Sequence, residues 1–128
     1  MSAPAPTDPP RLDHVQVAAP PGCEDAARRF YGELLGLREL DKPSVLAARG
    51  GAWFQLSGAQ LHVGVAAPFA PARKAHPALA VDRERLDALA RRLADGGAPV
   101  AWATEHSGVR RFFTADPWGS RLELLAPV

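Results

Sequence analysis

The sequence predicts an α+β domain made of two β-α-β-β-β units in tandem. Strand-like alternation and helix-like stripes recur in the same order twice, and Gly-rich breaks separate them at matching places. The two helical stripes also stand at one fixed offset: Ala27, Phe30, Tyr31 and Leu34, each advanced by 59 positions, give Leu86, Leu89, Ala90 and Leu93. A shared order of elements with a constant offset points to internal duplication.

Each element has its own signal. Residues 1–10 (MSAPAPTDPP) hold four of the thirteen prolines and nothing to bury, so a flexible tail is expected ahead of a single domain over 11–127. Module one covers 11–66. Leu12 to Ala18 alternates, with Val15 and Val17 on one face and His14 and Gln16 on the other. Pro20-Pro21-Gly22 ends that strand. A helix is expected from Cys23 to Leu35, with Glu24 and Asp25 at its positive end and Gly36 as its stop. Strands are then expected over Glu39 to Ala47, Ala52 to Leu56 and Ala59 to Ala66. Module two covers 76–127, after the Pro-containing connector Ala67 to Ala75. It has a strand from His76 to Val81, Asp82 as helix N-cap and Gly96-Gly97 as helix stop. Strands follow near Pro99 to Thr104, Val109 to Thr114 and Arg121 to Leu125, the last two joined by a turn at Asp116-Pro117-Trp118-Gly119.

Composition narrows the function classes. At 128 residues, 47% hydrophobic and 23% charged, the chain has the make-up of one globular domain. Lys+Arg 15 against Asp+Glu 14 leaves net +1, with no basic excess asking for nucleic acid. No stretch reaches the length of a membrane span, and no apolar leader opens the chain. Cys23 is the single cysteine, which rules out an intrachain disulfide and a cysteine-built zinc site and fits a reducing, cytoplasmic compartment.

The chemistry lies in four polar residues. His14 and His62 stand on the first and last strands of module one; His76 and Glu123 stand at the equivalent places of module two. Their neighbours Leu61, Val63, Leu79, Val81, Leu122 and Leu124 have the opposite parity, so each polar side chain is expected on the sheet face away from the helix. Imidazole and carboxylate suit a borderline divalent ion such as Zn, Ni, Fe or Mn, and four such donors leave positions open for a substrate oxygen. One metal per site is therefore expected on His14, His62, His76 and Glu123. Gln16, Gln60 and Arg121 share the ligands' parity and are expected to line the cavity. Trp53, Phe54, Trp102 and Phe113 are candidates for its apolar wall, half of them core by alternation, and Tyr31 is read as core. Cys23, at a helix start, is a candidate for a lowered pKa.

The stretches LDHVQVAAP, AARRFYGELLGL, HPALAV and RRFFTADPWGSRLELLAP resemble the vicinal-oxygen-chelate superfamily of glyoxalases, fosfomycin- and bleomycin-resistance proteins and extradiol dioxygenases. The resemblance implies paired βαβββ modules forming a cupped, incomplete barrel around a metal. It matches His14, His76 and Glu123 to that superfamily's ligands and His62 to a fourth ligand position. It implies a metal-dependent enzyme acting on a small vicinal-oxygen substrate, of the glyoxalase I-like isomerase or lyase kind, with Glu123 and His62 as the proton-transferring groups. His62 departs from the glutamate or glutamine expected at its position. The resemblance leaves open an extradiol dioxygenase-like oxidoreductase, in which the loop residue His106 is the one acid/base candidate, and a metal-free small-molecule-binding or resistance protein. Fosfomycin-type chemistry would call on Arg73, Lys74, Arg110 and Arg111 to grip an anion. A homodimer is expected, with each site drawn from one chain or shared between two.

Overall fold

The structure is a computed structural model that describes residues 8–105 and 108–128. Its elements run β1 (His14–Ala19), α1 (Glu24–Ala27) continuing into π-helical turns (Arg28–Leu34), β2 (Glu39–Leu40), α2 (Ser44–Ala47), β3 (Ala52–Gln55) and β4 (Gln60–Val65). The second half follows with β5 (Ala78–Ala80), α3 (Arg83–Asp95), β6 (Ala101–Ala103), β7 (Val109–Ala115) and β8 (Arg121–Pro127). They form two four-stranded sheets, ordered β1-β4-β3-β2 and β5-β8-β7-β6. The first and last strand of each unit pair in parallel and the others antiparallel, so the sheets match in topology. The sheets do not close into a barrel, and β1 and β5 are both left as edges.

Several elements differ from the sequence expectation, among them the strand expected over His76 to Val81, which runs only Ala78–Ala80 and leaves His76 ahead of it. The strand expected over 39–47 shrinks to Glu39–Leu40, and Ser44–Ala47 turns into a helix. Pro43 has no N–H to continue a ladder, and its carbonyl instead accepts from the Leu46 and Ala47 amides. The first helix widens to π geometry after Ala27, with the Leu35 amide reaching back five residues to the Phe30 carbonyl. The wider turn brings Leu35 into the core (7% exposed) in place of Leu34, which is only partly buried. Asp82 does precede α3, but its side chain makes no capping hydrogen bond.

Alternation sets the core. Val17 and Ala19 from β1, Leu61 and Val63 from β4, and Ala52 and Phe54 from β3 face the helices, as do Phe112, Leu122, Leu124 and Ala126 in the second sheet. Phe30, Tyr31, Leu86, Leu89, Ala90 and Leu93 close that layer from the helix side. The halves meet along their helices: Arg92 Nε donates to the Leu34 carbonyl at 2.8 Å. At Gly96 a β-carbon would stand 2.6 Å from the Leu34 side chain, so glycine is what lets that leucine seat. A buried bond also crosses the junction, where Tyr31 OH donates to Asp116 Oδ2 at 2.7 Å. Asp116 Oδ1 accepts from the amides of Trp118 and Ser120, which shapes the turn before β8.

Candidate functional site

Strand parity puts a polar row on the helix-free face of each sheet. In the first, β1 contributes His14 and Gln16, β4 contributes Gln60 and His62, and β3 contributes Trp53. Register sets His62 opposite both Gln16 and Trp53. The His62 ring is held between two parallel planes: His14 at 4.2 Å between centroids and Trp53 at 4.0 Å. Its Nε2 donates to Gln60 Oε1 at 2.8 Å, which leaves Nδ1 with the lone pair of a neutral ring. Burial, with the neighbouring His14, pushes the His62 pKa down and so favours that neutral form. Gly64 on β4 carries no side chain where Gln16 lies across it; a β-carbon there would meet the Gln16 amide carbon at 2.7 Å. These residues line a cavity of about 620 Å³, to which Lys42 and Arg49 contribute from outside the sheet.

His14 Nδ1 meets Asp13 Oδ2 at 2.9 Å, which directs the other nitrogen, Nε2, away from that carboxylate. Asp13 was not singled out in the sequence. Its one local signal is adjacency to His14.

The second sheet builds its own row. Phe113 and Glu123 are register partners, flanked by Arg111 on β7 and Arg121 on β8. Alanines pair or neighbour them at Ala78, Ala101 and Ala115, which keeps the row open above the sheet. His76 precedes β5, and its Nε2 lies 3.0 Å from Glu123 Oε1. Its Nδ1 faces the Lys74 carbonyl, also at 3.0 Å. Both ring nitrogens thus face acceptors. Arg111 reaches the other carboxylate oxygen, Oε2, at 3.5 Å and pairs with Glu105 at 2.9 Å. The Arg121 guanidinium stacks on Phe113, 3.9 Å from its centroid, with Arg111 at 5.3 Å.

The structure therefore brings His14 to His62, and His76 to Glu123, but keeps the two pairs apart. Among the described residues no group of three or more His, Cys, Asp or Glu stands ready to hold a metal ion. Gln16, Gln60, Trp53, Phe113 and Arg121 lie on the polar faces, and Phe54 is core. Trp102 is the register partner of the buried Phe112, on the helix side, where Arg110 stacks on it. Cys23 is buried, and its thiol is pushed up rather than down, first by burial and then by Glu24. His106 lies outside the described residues.

Imidazole and carboxylate are donor types that a divalent cation accepts, and here they stand in two separate pairs. A metal-binding histidine usually has its second nitrogen held by a carboxylate or a carbonyl, and Asp13 and the Lys74 carbonyl stand in those places for His14 and His76. The fold and these paired rows define a protein of the vicinal-oxygen-chelate class. The family model for the Glyoxalase/Bleomycin resistance protein/Dioxygenase superfamily matches residues 11–124, and the chain belongs to that superfamily. Among solved structures it is similar to a glyoxalase family protein from Bacillus anthracis, with 41% identity and TM-score 0.89 over 96% of this chain and 99% of that one. It shares its fold with lactoylglutathione lyase from Agrobacterium tumefaciens (19% identity, TM-score 0.72, 94% and 96% covered). The same holds for a fosfomycin resistance protein from Listeria monocytogenes (15% identity, TM-score 0.75, 94% and 96% covered). No curated protein matches the chain. Among the described residues no helix is long and apolar enough to cross a membrane.

Proposed function

We propose that the chain is a metal-dependent enzyme of this superfamily that moves a proton next to a carbonyl, and that its site is assembled between two copies. His14 and His62 of one chain would face His76 and Glu123 of the other around one divalent ion. The observation that carries this reading is that the pairs stand on separate sheets, with Nδ1 of both His14 and His76 already held by oxygen. The unpaired edges of β1 and β5 favour closure by a second copy, since an edge strand presents free N–H and C=O groups.

A bound divalent ion would polarise the vicinal oxygens of the substrate and favour loss of the adjacent proton. The residues of the chain do the rest. Glu123, 10% exposed on its side chain, would be the carboxylate that accepts the proton; His76 and Arg111 contact its two oxygens. His62 offers a neutral imidazole as the second proton-holding group, pinned by Trp53 and Gln60.

Protein purified without a histidine tag should take up Zn, Ni, Fe or Mn and isomerise a hemithioacetal formed with glutathione or another thiol. Metal content below about one-tenth per chain after incubation with each ion would overturn the reading, because such sites bind tightly. Metal uptake with activity on a catechol instead would move the assignment to dioxygenase chemistry.

A further inference from the structure

Each polar face carries a cation with no carboxylate within 4.0 Å among the described residues. On the second sheet two guanidiniums, Arg111 and Arg121, bracket Phe113, and the carboxylates near them, Glu105 and Glu123, both lie on Arg111. Arg111 is tied to Glu105 and Glu123, yet its Nε is buried with no hydrogen-bond partner among the described residues. Arg121 has no carboxylate within 4.0 Å among the described residues; the Phe113 ring alone holds it. On the first sheet Lys42 and Arg49 border the cavity around His14 and His62, again with no carboxylate partner among the described residues. The whole chain carries only +1, so this accumulation is local and not a consequence of a basic protein.

Such an arrangement has a cost unless something negative sits in it. Arg121 holds an unmet charge over the ring, and a divalent ion on His76 and Glu123 would take up one of the two carboxylates that offset Arg111. An arginine stacked on an aromatic face keeps its N–H fork in the plane above the ring, pre-set for two parallel bonds to a carboxylate or phosphate.

We propose that the substrate is a small acid. Its vicinal oxygens would lie between the His14/His62 and His76/Glu123 pairs, and its carboxylate or phosphate would be received by Arg121, with Arg111 beside it. Arg121 is then the residue that separates anionic from neutral substrates. This rests on the metal-dependent reading above and adds the substrate class to it.

The test uses full-length, tag-free, metal-loaded protein and calorimetric titration with 2-phosphoglycolate and with neutral hydroxyacetone. Wild type should prefer phosphoglycolate, and Arg121→Met should weaken phosphoglycolate by at least about tenfold, the worth of a charge-assisted pair. Metal content should be unchanged in that variant, hydroxyacetone binding should fall far less than phosphoglycolate binding, and Arg121→Lys should restore part of the loss. Raising salt from about 50 to 300 mM should weaken only the anionic probe in wild type, which gives a reading independent of any variant. Metal uptake with equal binding of both probes, or with Arg121→Met behaving as wild type, overturns this inference alone. No metal uptake overturns the functional reading and this inference with it.

Discussion

Replacing Tyr31 by Phe should loosen the junction between the two halves by an amount the structure lets one work out. The hydroxyl is fully buried and donates its one bond to Asp116 Oδ2, while Oδ1 keeps the amides of Trp118 and Ser120. The substitution keeps the ring packing and orphans a single oxygen of a carboxylate that is 5% exposed. A net hydrogen bond to a charged group is worth about 1.5–3 kcal/mol, so Tyr31→Phe should cost about 2 kcal/mol in urea melts with an unchanged m-value. In a domain of this size that lowers Tm by roughly 6–10 °C. The loss should also depend on pH. Burial holds the Asp116 carboxyl above its ordinary value, and the Tyr31 hydroxyl and backbone amides oppose that rise. A carboxyl raised on folding favours the folded state most below its unfolded pKa, and that contribution fades as pH rises through the folded pKa. Removing the hydroxyl raises Asp116 further, so the deficit should be larger at about pH 7.5 than at about pH 4.5. A loss under about 0.5 kcal/mol, or one equal at both pH values, would refute the account of this bond.

Three further outcomes are expected. Gly51→Ala should cost more than about 2 kcal/mol, because a β-carbon would stand 2.1 Å from the Val63 carbonyl oxygen at φ +86; Gly58→Ala, with a similar φ and open space, should cost only about 1–2 kcal/mol. Urea melts of the two variants side by side check this. Native Cys23 should react with a disulfide reagent at neutral pH at least about tenfold more slowly than in the denatured chain, since burial and Glu24 keep it a thiol. Glu123→Gln and His76→Asn, each removing a proposed ligand, should weaken metal affinity by at least about tenfold, measured by metal titration with folding checked by circular dichroism.

Much of the fold was legible because alternation leaves little freedom. With Leu61 and Val63 committed to the helices, His62 had to face the other way, and the same reasoning placed His14, Gln16, Gln60 and Glu123. The π turns were not legible, since α and π geometry both bury Phe30 and Tyr31 and differ only in whether Leu34 or Leu35 follows them. Trp102 reads as a pocket residue by type, but its register with Phe112 places it on the helix side. Lys42 and Arg49 reach the first cavity from outside the strands, where no periodicity marks them. Asp116 reads as an ordinary turn residue. Its bond to Tyr31 spans 85 positions and leaves no local trace.

The separation of His14 and His62 from His76 and Glu123 has a genetic corollary. If each site takes His14 and His62 from one chain and His76 and Glu123 from another, two inactive variants can rescue each other. In a mixed dimer of His14→Ala and Glu123→Gln chains, one site collects both defects and the other collects neither. Random exchange at equal amounts then restores about a quarter of all sites, whereas neither variant alone has any intact site. Chains that carry a whole site each gain nothing from mixing.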